Sequence, residues 1–130
     1  MDRIDMHVEV PAVSHRDLAT LPASENSAAI LRRVAEAREI QSKRFNRSRI
    51  YCNAQMRNRH IKACCALNSR TSALLETAMD RFGLSARAFF RILKMARTIA
   101  DLDQKQEIEE MHLCEAIQYR SLDRKAVAFG

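Results

Sequence analysis

Two glycines (Gly83, Gly130) and two prolines (Pro11, Pro22) punctuate 130 residues. Between Pro22 and Gly83, and again from Leu84 to Phe129, there is neither. A chain so poor in turn formers has few ways to reverse direction except at the ends of helices, which points to long helices joined by short connections. Its apolar fraction, 47%, is enough for a core at this length. No run of 18 apolar residues exists, so no membrane-spanning helix is expected. Met1 is followed by Asp2 and Arg3 with no apolar run behind them, so a secretory signal is not expected. The four cysteines, Cys52, Cys64, Cys65 and Cys114, show no C-x-x-C spacing. They suit a reducing, cytoplasmic setting rather than a disulfide framework. His60 and Cys64 are spaced i, i+4, but two ligands do not make a zinc site.

The first residues break the helical pattern. Ile4, Met6, Val8 and Val10 alternate with Asp5, His7 and Glu9, a period-two strand signal. No second strand of similar quality follows, and a strand without a ladder partner is not stable. The simplest inference is a fragment, whose orphan strand belongs to a sheet in missing sequence. Residues 11–26, with both internal prolines, read as a linker. From Ser27 the period becomes helical. Ser27 is the expected cap of a helix over 28–46, with Ile30, Val34, Ala37 and Phe45, flanked by Leu31 and Ile40, as its apolar stripe. Asn53 is the expected cap of a helix over 54–66, with Met56, Ile61, Cys64 and Cys65 inward. Asn68 or Ser69 opens a third helix, which Gly83 ends. Ser85 caps a fourth, to Leu102, with Phe89, Ile92, Leu93, Ala96 and Ile99 inward. A fifth runs over 109–121, with Leu113, Ala116 and Ile117 inward. The expected fold is all-α: a compact bundle of about five helices behind one orphan strand.

Two features carry candidate chemistry. Arg87 falls in the first turn of the fourth helix, at the positive end of the macrodipole, where a cation costs roughly 0.3–1 kcal/mol unless an anion lies nearby. A nucleotide phosphate is such an anion; a neighbouring carboxylate or solvent is the plainer alternative. The second feature is a gap in acidic residues between Glu39 and Glu76, which holds Lys43, Arg44, Arg47, Arg49, Arg57, Arg59, Lys62 and Arg70. Asp101, Asp103, Glu107, Glu109, Glu110 and Glu115 cluster later, and the formal net charge is +6. The basic stripe suits nucleic-acid phosphates, a solvated face or an acidic neighbouring subunit. Aromatic residues near it are few, Phe45 and Tyr51, so stacking on single strands is not favoured. Arg97 and Asp101 stand i, i+4 and can pair; Asp101, Glu115 and Arg120 are candidates to fasten the fourth helix to the fifth. His112 reads as a structural hydrogen-bonding residue and Tyr119 as packing. No nucleophile, base and orienting group converge on any motif, which argues against a free-standing enzyme.

The segments Leu84–Arg87 and Arg97–Leu102, followed by His112–Ser121, resemble the C-terminal part of the magnesium-chelatase-like AAA+ ATPases of bacteria (the ComM or YifB type). Asp2–Pro11 resembles the end of the ATPase core of that family, and Val34–Gln41 and Asn53–Met56 continue the likeness in order. The resemblance implies that residues 1–26 are the last core strand plus linker and that residues 27–130 are the helical lid. The core that holds ATP and Mg2+ in such proteins is not in this sequence, which contains no G-x-x-x-x-G-K-[ST]. The fragment is therefore expected to bind neither tightly. The resemblance also implies a homo-oligomeric ring, usually a hexamer, whose ATPase drives DNA processing in natural transformation. Arg87 would be its sensor-2 arginine, reaching the γ-phosphate. Arg3 would be an arginine finger entering the neighbouring subunit's site. An independent DNA-binding helical domain using Lys43 to Lys62, and the lid of a true magnesium-chelatase subunit, are the alternatives. The pair Phe89-Phe90 departs from the more polar pair expected in the family, and Phe90 is expected to be partly exposed or to pack against the ATPase core that this sequence lacks.

Overall fold

The computed structural model describes residues 5–10, 12 and 25–129, with side chains to residue 120. Among these residues there are five α-helices and no strand. They are α1 (Ser27–Arg44), α2 (Asn58–Cys64), α3 (Ser69–Phe82), α4 (Ala86–Leu102) and α5 (Glu110–Phe129), with a 3₁₀ turn at Asn53–Gln55 before α2. Of the expected strand over 4–10, Ile4 lies outside the described residues. Residues 5–10 run without regular structure, tied to α5 by the His7 N–H, which donates to the Tyr119 carbonyl at 3.0 Å. Most of the expected linker, and Arg3, also lie outside the described residues.

Helix α4 is the centre of the bundle. Its side chains at 88, 92, 96 and 100 follow i, i+4 spacing and are all buried; three of the four are alanine. A ridge this low lets neighbouring helices approach closely. α5 lies against it with Leu113, Ala116 and Ile117, as the periodicity predicts. α3 adds Leu75 and Ala78, and Met56, Ile61, Cys65, Ile108 and Phe45 complete the core. The expected inward set of α4 was rotated slightly. Phe89 and Ile99 are half-buried, whereas Arg97, Ala100 and Asp101 are fully buried, because the charged pair finds partners inside the fold. Phe90 is half-buried against the bundle's own hydrophobic core, edge-on to Phe89 at 5.3 Å between ring centroids.

The helix ends follow local chemistry. Asn26, one residue before the expected cap Ser27, starts α1: its Oδ1 accepts the Ala29 N–H at 2.8 Å. Asn68 does the same for α3, accepting from Thr71 at 2.8 Å, and Gly83 ends that helix at φ 58°. Only a left-handed residue allows the Leu84 N–H to reach back to the Met79 carbonyl at 3.0 Å, and glycine takes that conformation without cost. α4 ends the same way without a glycine: Gln104 has φ 57°, and the Lys105 N–H reaches the Ala100 carbonyl at 2.9 Å.

Two expectations are corrected. The first half of α1 is not in the core: Ile30, Leu31 and Val34 are exposed, Leu31 to 68%, since no described element packs over them. The helix expected over 54–66 is broken. Asn53 is not its cap; the 3₁₀ turn closes, Met56 takes an extended conformation that lets its side chain reach the core, and α2 begins only at Asn58.

Candidate functional site

The first turn of α4 forms as its sequence dictates. Ser85 Oγ accepts the Ala88 N–H at 3.2 Å, so one amide of the first turn is satisfied by its cap. The first turn holds no acidic residue, and Arg87 stands there, exposed. One turn later Arg91 is largely covered, and its Nε forms an ion pair with Asp5 at 3.2 Å. The segment at residues 5–7 is thereby held between α4, through Arg91, and α5, through Tyr119. The end of α4 that carries Arg87 is thus joined to the chain that precedes the bundle.

At the opposite end of α4 lies a buried polar network that sequence reasoning did not assemble. Asp101 sits in the last turn, against the negative end of the helix dipole, with 1% of its surface exposed. Both its oxygens accept from Arg44, at 2.7 and 2.8 Å, and Oδ1 also accepts from Arg97 Nε at 3.2 Å. Asn53 Nδ2 donates to Asp101 at 2.8 Å and to Thr98 Oγ at 3.1 Å. Asn53 Oδ1 accepts from Arg44 at 3.0 Å, and its backbone N–H donates to Gln41 Oε1 at 3.0 Å. The remaining donors of Arg97 reach the Lys105 and Gln106 carbonyls, at 2.6 and 2.8 Å. Asp101 therefore fastens α4 to α1 and the 3₁₀ turn. The Asp101 hydrogen bonds hold the Arg44 guanidinium charge still more firmly than usual. A carboxylate in a last helical turn was the available signal that a cationic partner had to be found.

The network also accounts for Arg44. In sequence it belongs to the basic stripe; in the fold its side chain is 17% exposed and turned onto Asp101. Lys43 pairs with Glu39 at 3.2 Å on the outer face of α1. Arg47, Arg49, Arg57, Arg59 and Lys62 are exposed. Residues 44–49 and 59–64 wall an open cleft of about 590 Å3 that brings Arg47, Arg49 and Arg59 together, while Arg57 and Lys62 do not line it.

His112 and His60 each hold the start of a helix. His112 Nδ1 accepts the Glu109 N–H at 2.9 Å, which places the neutral ring's proton on Nε2, facing Asp103 at 2.9 Å. His60 repeats the device at α2, accepting the Arg57 N–H at 3.0 Å. Tyr119 donates its hydroxyl to Glu115 at 2.7 Å, a bond that raises its pKa. The Cys65 thiol is pushed up to about 12, chiefly by burial and then by Cys64. No group of three or more possible metal ligands occurs among the described residues, and no described helix is long and apolar enough to cross a membrane.

A helical bundle with a central, alanine-ridged helix, an exposed arginine in the first turn of that helix and a buried ion network at its last turn defines an all-α domain. The chain belongs to the family described as magnesium chelatase, subunit ChlI C-terminal, whose sequence model matches residues 24–120. It is 40% identical over 125 residues to competence protein ComM of Haemophilus influenzae, covering 95% of this chain and 24% of that protein. Over the same length and with the same coverage it is 42% identical to YifB of Escherichia coli and 37% identical to YifB of Salmonella typhimurium. The chain thus spans about a quarter of the length of these relatives, and the resemblance read from its motifs to the C-terminal part of the ComM type holds.

Proposed function

We propose that this chain is the lid of an ATP-hydrolysing, magnesium-chelatase-like ring, and that Arg87 is its nucleotide sensor. The position of Arg87 carries the reading: an exposed guanidinium at the positive end of α4, with no acidic residue in that turn. An anion is what this position favours, and a phosphate meets both the guanidinium and the helix end. In the intact protein ATP, with its Mg2+, supplies the phosphoryl chemistry and is held by a core outside this chain. Arg87 contacts the γ-phosphate and reports its loss to the bundle through the rigid α4. Arg3 serves as the finger of the neighbouring subunit's site in a homo-oligomeric ring, a hexamer, in the cytoplasm. The parent processes DNA in natural transformation; that one relative is named a competence protein supports this reading.

The test is Arg87→Ala in the intact parent. ATP hydrolysis falls by roughly 10²-fold, the scale set by removing one preorganised charge from a transferring phosphoryl group, while the melting of the bundle is unchanged. Unchanged hydrolysis and unchanged nucleotide affinity together would show that Arg87 is not the sensor. The same lid could serve a true magnesium chelatase. Complementation of a transformation defect, and not of a pigment defect, separates the two.

A further inference from the structure

The cleft between residues 44–49 and 59–64 is built on the core rather than on a loose loop. Phe45, 3% exposed, lines it and meets the His60 ring edge-on at 6.2 Å. The turn above is pinned by the Phe45 N–H to the Gln41 carbonyl at 3.0 Å and by the Ser48 N–H to the Phe45 carbonyl at 2.9 Å. Arg44 spends its charge on Asp101. Arg47, Arg49 and Arg59 have no carboxylate within 4.0 Å among the described residues, and the chain carries none between Glu39 and Glu76. Arg47, Arg49 and Arg59 line one concave surface together with Ser48, and no acidic residue lines it.

We propose that this cleft seats the phosphate backbone of a nucleic-acid duplex, with Arg47, Arg49 and Arg59 each pairing with a phosphate. Guanidinium forks match phosphate oxygens in pairs, and such contacts position a duplex without reading its sequence. The acidic face of a second copy is a poorer occupant. Four of the six carboxylates in its 101–115 cluster are already engaged: Asp101 by Arg44, Asp103 by His112, Glu110 by Arg70 and Glu115 by Tyr119. The proposal rests on the DNA-processing part of the reading above and is independent of Arg87.

The test is a fluorescence-anisotropy titration of this chain against a labelled 30-base-pair DNA duplex, between 50 and 200 mM salt. Three phosphate contacts make affinity fall about forty-fold across that range, from the counterions they release. The variant Arg47→Ala/Arg49→Ala/Arg59→Ala flattens the logarithmic salt slope by about 3, and each single variant by about 1. A charge-matched control, Arg32→Ala/Arg38→Ala/Arg81→Ala, keeps more of the slope. All the substituted residues are exposed, and circular dichroism melts check that each variant folds. Equal losses in the control and the cleft variant would overturn the site and leave a general electrostatic attraction. Binding undiminished in the cleft variant would overturn the site and leave the DNA-processing reading standing. No binding by the unsubstituted chain would overturn the site, with the lid reading untouched. Self-association in sedimentation that the cleft variant abolishes, without DNA binding, would assign the cleft to an acidic neighbour instead.

Discussion

A carboxylate in the last turn of a helix faces the negative end of the dipole, and burial removes the water that would offset it. Asp101 is tolerated there because two guanidinium groups and an amide reach it within 3.2 Å. Taking away a buried hub leaves its partners charged and unpaired. Asp101→Ala is expected to cost about 3–5 kcal/mol, read as a shift in the urea midpoint. Cys65 gives a pH signature. Its folded pKa, about 12, lies above the value near 8.5 of an exposed thiol, so the thiol stays protonated where the unfolded chain would ionise. That contribution to stability is complete below about pH 8.5 and declines as pH rises towards 12, because only the unfolded state releases the proton. Cys65→Ala is expected to flatten the decline in melting temperature over that window. In native alkylation at pH 8, exposed Cys114 reacts first and Cys65 only with unfolding, which peptide mapping resolves.

The elements divide by how local their signals are. α3 and α4 were legible because Asn68, Gly83 and Ser85 act through bonds to residues three to five positions away. The helix expected over 54–66 was not, since the break is imposed by contacts of Asn53 with Gln41, Arg44, Thr98 and Asp101, most of them distant in sequence. Ser85→Ala should cost about 1 kcal/mol in thermal unfolding, the usual worth of a serine cap. Gln104→Gly should gain about 0.5–1 kcal/mol, because Gln104 holds a left-handed conformation that glycine adopts freely, and the exposed side-chain bond to Glu36 is worth less. Both are measurable by calorimetry.

At the scale of the molecule, the proposed division of labour makes two independent demands. Arg87→Ala should leave the stability of the bundle within about 0.5 kcal/mol, as for other exposed positions, while impairing hydrolysis in the parent. The cleft variant should do the reverse for nucleotide and DNA, changing the salt dependence of duplex binding and leaving ATP affinity alone. By itself the sequence determined the helical class, the caps at Asn68 and Ser85, the stop at Gly83, the position of Arg87 and the likeness to its family. Each of these depends on residue type and short spacing. The tertiary structure decided which charges are spent. Arg44 and Arg47 are three residues apart in one basic stripe, yet one is locked onto Asp101, 57 positions away, and the other lines an open cleft. Linear order carries charge and periodicity, but pairing depends on distance and burial, and those exist only once α1, the 3₁₀ turn and α4 have packed together.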